Sequence, residues 1–286
     1  MQIIKDNDVY DVVNRSEIPD GTQILNSKMD LRQKFDTLGG MIKYKARLVV
    51  LGNEEDPTDQ DFFSPTCNHK ALALMLALAA DKNMKLSGLD IKGFFLTAEI
   101  DEPAYIRLPK NMTDQDPHAP PVYWKLKKTL YGLRRSPKLS NSELTTHLIA
   151  GGYEQSPNDL CLFQNRDAET DKLLMFVVYV DDFAIASDCP IMTQQLKDWI
   201  RHKYDEIEDM DSLEHFIGTH VGYVDVDNIT FMDLSQPAHL EKIFAFFSLT
   251  DDGTVKHPYT PIKLTATWED YTEWTKQQQN GHLCVT

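Results

Sequence analysis

Residues 173–187 have the sequence LLMFVVYVDDFAIAS, an apolar run that two adjacent aspartates, Asp181 and Asp182, interrupt at its centre. The β-branched and aromatic residues on either side predict two buried strands, over residues 173–180 and 183–186, joined by a tight turn. An ionised carboxylate this close to a core is costly unless it is paired or bound to a metal. Aspartate is also common in ordinary turns, so a purely structural turn is the alternative to a functional site.

A third carboxylate, that of Asp90, lies in a similar apolar stretch, LSGLDIKGFFL, at residues 86–96. A turn or a capping aspartate would explain this residue alone. Together with Asp181 and Asp182, it gives three carboxylates at the ends or edges of apolar strands. Hard divalent cations such as Mg²⁺ are bound by one or two carboxylates together with substrate phosphates. The three aspartates therefore form a candidate metal site, in which two ions can activate a hydroxyl nucleophile and stabilise a leaving group.

The composition is that of a folded, soluble, intracellular protein of one or two domains. The 286 residues are 42% hydrophobic and 26% charged, and no apolar run is long enough for a membrane span. The N-terminus lacks the basic and apolar regions of a secretion signal. The four cysteines lie far apart without CxxC pairing, which indicates reduced thiols rather than a zinc site or disulfide framework; they are Cys67, Cys161, Cys189 and Cys284.

The charge of the chain is unusual for a protein that binds phosphate backbones. The formal net charge is -15 and the pI is near 4.9, whereas nucleic-acid-binding domains are typically basic. Residues 121–140 nevertheless carry six basic side chains and no acidic one, and Lys43, Lys45 and Arg47 form a second basic group. These segments are candidates for a local nucleic-acid surface; a solvated face or a site for an acidic protein partner is the alternative.

Hydrophobic periodicity outlines the remaining elements. Residues 1–40 predict only irregular strands and turns, and residues 206–214 predict an acidic loop. The Ala- and Leu-rich segment 69–81 predicts a helix with even apolar coverage, buried in the core. Further predictions are helices at 137–149, 191–204 and 237–247, strands at 42–51 and 104–108, and a hairpin over 215–234.

Seven short pieces, taken in order from residue 43 to about residue 261, resemble the reverse transcriptase of copia-like LTR retrotransposons (Pseudoviridae type). Single pieces are weak signals, but the order and spacing together are specific. The pieces are Tyr44-Lys45-Ala46-Arg47-Leu48-Val49, Phe63-Ser64-Pro65, Leu76-Ala77-Leu78-Ala79-Ala80, Leu89-Asp90-Ile91 with Phe95-Leu96, Lys125-Leu126-Lys127-Lys128 before Leu130-Tyr131-Gly132-Leu133, Tyr179-Val180-Asp181-Asp182, and Phe216-Ile217-Gly218.

The resemblance implies an α+β fold: right-hand polymerase fingers and palm, with an antiparallel palm sheet packed on helices. It implies a fingers-like or irregular segment at 1–40, a fingers/palm domain at 41–261 and a C-terminal tail at 262–286. No RNase H or integrase pattern follows residue 261, so we expect the polymerase part of a larger polyprotein. The implied activity is an RNA-directed DNA polymerase that extends a primer 3′-hydroxyl on an RNA or DNA template with deoxynucleoside triphosphates (dNTPs).

The resemblance also assigns roles to individual residues. It makes Asp90, Asp181 and Asp182 the catalytic carboxylates and the ligands of Mg²⁺ or Mn²⁺. Lys45 and Arg47 match substrate-binding residues that neutralise the triphosphate. Phe95 matches the aromatic residue that excludes a 2′-hydroxyl, and Arg135 stands where the family usually has a glutamine near the nucleotide.

Three departures from the family pattern support an alternative function. Phe94 replaces a small residue beside the sugar pocket, Arg135 adds charge near the nucleotide, and Ser140 replaces an aromatic residue in an unusually polar helix. The alternative is a domesticated, catalytically inactive protein that has protein partners in a larger assembly. Its candidate contact surfaces are the basic segment 125–138 and the C-terminal stretch that contains Trp268 and Trp274. Side chains of Phe94, Phe95 and Arg135 that filled the space above Asp90 would favour this alternative.

Overall fold

The computed structural model describes residues 2–35, 40–56, 61–109, 112, 120–226 and 229–247. The chain divides into two compact units, Met1–Phe216 and Ile217–Thr286. Within the described ranges, no helix is both long enough and apolar enough to cross a lipid bilayer.

The first unit contains a six-stranded sheet in which every neighbouring pair is antiparallel. The turn between its two central strands contains Asp181, as the sequence predicts. The sheet also includes a strand inside residues 206–214, so the predicted acidic loop is wrong there. In spatial order the strands are β11 (Ile207–Met210), β4 (Lys85–Ile91), β10 (Asp182–Ser187), β9 (Leu173–Tyr179), β8 (Leu162–Arg166) and β7 (Glu154–Gln155).

Helices cover this sheet because its central strands are apolar on both faces. In β9, Leu174, Phe176 and Val178 share a buried cluster with residues of helices α3 (Ser136–Ala150) and α4 (Pro190–Lys203). The alternate residues of β9 are buried as well, and helix α2 (His69–Asp81) contacts β9 and β10. The α+β class with antiparallel sheets is thereby confirmed.

Helix α2 has the predicted bounds but a different burial pattern. Its buried residues are Leu72, Met75, Leu76 and Ala79, which recur at helical spacing on one side. Leu74, by contrast, is 56% exposed. The prediction of a buried helix therefore holds for one face only: alanine and leucine occupy the helix all round because of their helix propensity, but a single stripe of them faces the core.

A second, five-stranded sheet in the same unit uses the N-terminal residues. The sequence predicts only irregular strands and turns for residues 1–40, whereas residues 2–35 form a short helix, α1 (Gln2–Asp6), and two regular strands of this sheet. All neighbouring pairs are antiparallel except β2 with β5. In spatial order the strands are β1 (Tyr10–Val13), β6 (Tyr123–Lys128), β5 (Glu99–Arg107), β2 (Ile24–Phe35) and β3 (Met41–Val50).

Strands β2 and β3 form a long two-stranded ribbon whose faces differ in chemistry. Arg32 pairs with Lys45, and Asp30 pairs with Arg47, so these side chains share one face. On the other face Leu31 pairs with Ala46, and Leu31 is 73% exposed. The strand alternation that the sequence predicts for residues 42–51 thus produces a largely basic face backed by an apolar one.

Helix α3 carries buried serines that account for its polar sequence. The Ser136 hydroxyl donates to the Leu130 carbonyl oxygen at 2.8 Å, and the Leu130 N–H donates to the Ser136 oxygen at 3.2 Å. Ser140 is 1% exposed, and its hydroxyl lies 3.5 Å from that of Thr129. Because buried hydroxyls with partners are tolerated, Ser140 fits the core without the aromatic residue expected there.

Helices α3 and α4 are joined by a reciprocal contact between His147 and Trp199. The rings stack at 4.8 Å, the Trp199 indole N–H donates to the His147 carbonyl oxygen at 2.9 Å, and His147 Nε2 lies 2.9 Å from the Trp199 carbonyl oxygen. Burial lowers the pKa of His147, and the charges of Lys203 and His202 act in the same direction. The Trp199 hydrogen bond and Glu143 oppose this shift.

The second unit contains a hairpin and a helix. Strands β13 (Thr219–Val226) and β14 (Ile229–Ser235) pair antiparallel, and helix α5 covers Pro237–Phe246. The predicted hairpin and the predicted helix at 237–247 are confirmed. A two-residue strand, β12 (His215–Phe216), closes the first unit.

The His147 contact predicts a pH dependence of stability. Below the unfolded-state pKa of about 6.5, the unfolded chain takes up a proton that the folded chain resists, so the free energy of unfolding decreases as the pH falls. His147→Gln cannot titrate, and we expect it to lose less stability than the wild type between pH 7.5 and 5.5. Urea unfolding followed by circular dichroism measures this difference. Equal losses in the two proteins would contradict the assignment.

Candidate active site

The register of two neighbouring strands, β4 and β10, brings acidic residues side by side. Asp182, the first residue of β10, stands directly opposite Asp90 of β4, and Asp181 precedes it in the turn. One ligand oxygen from each of Asp90, Asp181 and Asp182 can be chosen so that all lie within 4.8 Å of one another. Asp90 and Asp182 lie on the sheet face opposite α3 and α4, because their neighbours Leu89 and Phe183 are in the cluster with those helices.

The turn that carries Asp181 has an uncommon backbone conformation. Tyr179 pairs with Asp182, which leaves only Val180 and Asp181 in the connection. Val180 has a φ of 62°, in the left-handed region that a β-branched residue rarely adopts. Such strain persists only where the surroundings enforce it, and here the Ile91 N–H donates to the Asp181 carbonyl oxygen at 2.9 Å. Strand β4 therefore fixes the turn from the side.

The electrostatics of these carboxylates favour a bound cation. Burial raises the pKa of the Asp181 carboxyl above its usual value, and the negative charge of Asp90 adds to that rise. A backbone hydrogen bond and the positive charges of Lys45 and Arg47 act in the opposite direction. Three carboxylates at this spacing form an oxygen-only donor set, which fits a hard divalent cation such as Mg²⁺ or Mn²⁺.

The basic face of the ribbon thus lies near the carboxylates, through Lys45 and Arg47. Both side chains are half-buried, whereas their neighbours in the strand, Tyr44 and Ala46, are exposed. The Arg47 guanidinium lies 5.3 Å from the centre of the Tyr131 ring, and Phe95 meets the same ring edge-on at 5.8 Å. The structure therefore brings the predicted residues Arg47 and Phe95 together on Tyr131.

Tyr131 is a site residue that the sequence analysis did not assign. Its side chain joins Arg47 and Phe95, and its carbonyl oxygen accepts from the Val50 N–H at 2.8 Å at the end of β3. The sequence feature that could have indicated it is the position of Tyr131 in Leu130-Tyr131-Gly132-Leu133, directly after a basic strand. Only the tertiary contact of that loop with β3 gives the residue a role.

A close backbone approach fixes the Tyr131 loop against β3. Gly132 has a φ of +92°, and a Cβ on it would lie 2.1 Å from the Val50 carbonyl oxygen. A Cβ on Gly52 would likewise lie 2.1 Å from the Gly132 carbonyl oxygen. Both positions require glycine, and they tie the strand that carries Lys45 and Arg47 to the loop that carries Tyr131.

Arg135 and Phe94, the two residues at which the sequence departs from the family pattern near the nucleotide, lie away from the three clustered aspartates. The Arg135 guanidinium pairs with Asp101 at 3.0 Å and with Glu102 at 3.5 Å, and the structure does not bring it to the aspartates. Phe94 is 2% exposed and packs in the cluster with Ile91, on the face opposite Asp90. The added bulk of Phe94 therefore does not fill the space above Asp90.

The basic segment at 121–140 is partly neutralised by the same chain. Lys127 pairs with Asp8 and Asp11 at 2.5 and 3.2 Å, and Lys138 pairs with Asp61 at 3.4 Å. With Arg135, three of the six basic side chains thus have acidic partners distant in sequence. Half of the basic side chains in this segment are therefore paired within the chain. Trp268 and Trp274 lie outside the described residues.

Residues 7–262 match the reverse transcriptase (RNA-dependent DNA polymerase) family. This match spans most of the chain, and the chain therefore belongs to the reverse transcriptase family.

Its relatives include polyproteins of copia-type retrotransposons, which confirms the resemblance. The Retrovirus-related Pol polyprotein from transposon RE1 of Arabidopsis thaliana is 26% identical over 245 residues, which is 85% of this chain and 16% of that protein. The Retrovirus-related Pol polyprotein from transposon TNT 1-94 of Nicotiana tabacum is 25% identical over 260 residues, 90% of this chain and 19% of that protein. The Transposon Ty1-MR1 Gag-Pol polyprotein of Saccharomyces cerevisiae is 30% identical over 203 residues, 70% of this chain and 10% of that protein. The chain thus spans less than a fifth of the length of these relatives.

The glycine contact gives a stability prediction with an internal control. Gly21 also has a positive φ, of +79°, but nothing lies within 4 Å of a Cβ placed there. We expect Gly21→Ala to lower the free energy of unfolding by about 1 kcal/mol, through backbone strain alone, and Gly132→Ala by about 3 kcal/mol or more, because the Val50 carbonyl must also move. Urea unfolding measures both. Equal costs would mean that the loop can move away from β3 freely.

Proposed function

We propose that the chain is an active RNA-directed DNA polymerase that adds deoxynucleotides to a primer 3′-hydroxyl. The observation that carries this proposal is the cluster of three carboxylates on β4, on β10 and in the adjoining turn, where the positive charges of Lys45 and Arg47 act on Asp181. An arrangement of this kind suits phosphoryl transfer, in which positioning and charge stabilisation supply most of the catalysis.

In this proposal Asp90, Asp181 and Asp182 would hold two divalent cations, Mg²⁺ or Mn²⁺. The chemistry that such ions supply when bound is activation of the primer hydroxyl and stabilisation of the leaving pyrophosphate. The chain's own contribution is to hold three carboxylates in one place against their mutual repulsion, through the registry of β4 with β10. Strand pairing fixes these positions before any substrate binds, so little reorganisation is left to the reaction.

Lys45 and Arg47 would neutralise the triphosphate of the incoming dNTP. The Arg47 guanidinium lies 5.3 Å from the centre of the Tyr131 ring, and a planar guanidinium is suited to bidentate contacts with phosphate. Phe95, held edge-on by the same ring, would form the wall that excludes a ribose 2′-hydroxyl. We assign Arg135 only a peripheral part in substrate binding, because its guanidinium is engaged by Asp101 and Glu102.

We assign the six-stranded sheet to a palm and the five-stranded sheet, with its basic ribbon, to fingers. On this assignment the fingers and the palm both belong to the first unit, and residues 2–35 add strands to the fingers. The template-primer would lie at the end of the sheet where Asp90 and Asp182 stand. Because Phe94 packs in the core and Ser140 has a hydrogen-bonding partner, neither departure supports a separate function as an inactive scaffold.

Primer extension on a primed RNA template, with Mg²⁺ and with Mn²⁺, tests the proposal. We expect the wild type to extend the primer, and Asp181→Asn/Asp182→Asn to lose activity by about 100-fold or more. The matched control is Glu169→Gln/Asp171→Asn, which removes two charges from the turn between β8 and β9 and should extend normally. A folded wild-type chain without extension, or equal activity in all three proteins, would overturn the proposal.

Phe95 gives a second prediction, on sugar selection. Phe95→Val enlarges the site where a 2′-hydroxyl would lie, so we expect the preference for dNTPs over ribonucleotides to fall by about tenfold or more while dNTP incorporation continues. Phe94→Leu, a change at the adjacent buried aromatic, should lower stability and leave the preference unchanged. Single-nucleotide incorporation with each sugar measures the ratio. An unchanged ratio in Phe95→Val would remove Phe95 from the sugar pocket.

A further inference from the structure

A fourth carboxylate borders the three aspartates. Glu208 of β11 stands directly opposite Asp90 of β4, on the side away from Asp182. Directly opposed residues of antiparallel strands share one face of the sheet, with Cβ atoms about 4.5–5.5 Å apart. Asp182, Asp90 and Glu208 therefore form a row across three neighbouring strands. A glutamate side chain at that spacing is long enough to reach a cation bound at the aspartates.

Glu208 is held by a lysine from the neighbouring strand's end. The ammonium group of Lys92, two residues beyond Asp90, forms an ion pair with the Glu208 carboxylate. The backbone fixes this lysine, since the Lys92 N–H donates to the Glu206 carbonyl oxygen at 2.9 Å. The ion pair thus joins β11 to the end of β4 at the border of the candidate metal site.

We propose that Lys92 holds Glu208 away from the metal-binding aspartates, so that the Lys92–Glu208 ion pair sets the affinity of the site for divalent cations. This inference rests on the proposed function, because it concerns the same metal site. Carboxylate sites bind divalent cations more tightly as the charge of their ligands rises. A released Glu208 would add a fourth negative charge and occupy coordination positions that nucleotide phosphates need. The ion pair keeps those positions open for the substrate.

Binding of Mn²⁺ to the full chain, measured by isothermal titration calorimetry without nucleic acid, tests this role separately from catalysis. We expect Lys92→Met to bind Mn²⁺ about tenfold more tightly than the wild type, since Glu208 is then released toward the cation. In Lys92→Met/Glu208→Gln the released carboxylate is absent, and the affinity should return to within about twofold of the wild type.

The matched control is Lys203→Met, which breaks a lysine–glutamate pair of similar kind, with Glu143 at 2.8 Å, on helices rather than beside the aspartates. It should leave Mn²⁺ affinity near the wild-type value. An unchanged or weaker affinity in Lys92→Met, a tightening that persists in the double variant, or an equal tightening in Lys203→Met would overturn the inference.

Failure of the proposed function has a different signature. A wild-type chain that binds no Mn²⁺, or that binds it equally after Asp181→Asn/Asp182→Asn, would contradict the metal site itself and this inference with it. Binding that depends on the aspartates but is insensitive to Lys92 would contradict only the inference.

Discussion

Repulsion between carboxylates held at a fixed distance is the constraint on which this structure depends. The pairing of β4 with β10 places Asp90 opposite Asp182, an arrangement of like charges that by itself destabilises a sheet. The cost is offset from the other face, where Leu89, Ile91 and Phe183 are fully buried under α3 and α4. The apolar core thus determines where the charges lie, and a cation bound as proposed above would offset their repulsion.

The positive charge near that site comes from residues that are distant from the aspartates in the sequence. Lys45 and Arg47 are on a ribbon of the other sheet, and their positions depend on the loop at Tyr131 and Gly132. Two sheets with separate cores therefore contribute to one candidate site: the six-stranded sheet carries the carboxylates, and the five-stranded sheet carries Lys45 and Arg47. Functional sites commonly reduce the stability of a protein. Here the features that reduce it are the close backbone contacts at the glycines and the left-handed conformation of Val180.

Sequence patterns predicted the parts of the fold that depend on local chemistry. Helix α2 and the hairpin around Asp181 follow from apolar periodicity and turn residues, and they agree with the structure within a residue or so. Strand β11 was missed because its acidic residues conceal a pairing that only β4 provides. Strand β2 was missed because seven of its twelve residues are polar, so its pairing with β3 and β5 defines it rather than an apolar pattern.

The residues of the candidate site likewise fall into those that the sequence predicts and those that only the structure reveals. The three aspartates could be predicted because a carboxylate in an apolar run is conspicuous in any sequence. The roles of Tyr131 and Glu208 could not, since each depends on a neighbour that is distant along the chain. The ion pairs of Lys127 and Lys138 were equally invisible, because their acidic partners lie 77 to 119 residues away. A short stretch of sequence shows which residues are charged, but only the tertiary structure shows which of them form ion pairs.

The Val180 turn has one more consequence, which concerns motion. The tip of a two-residue hairpin is usually the part of a sheet that is most free to move, yet this tip carries a catalytic candidate. Its β-branched side chain packs against the core cluster even though the backbone is in the left-handed region. The turn is therefore held by apolar packing beneath Val180 and by the Ile91 backbone hydrogen bond, and its position does not depend on the carboxylates proposed to bind the cations.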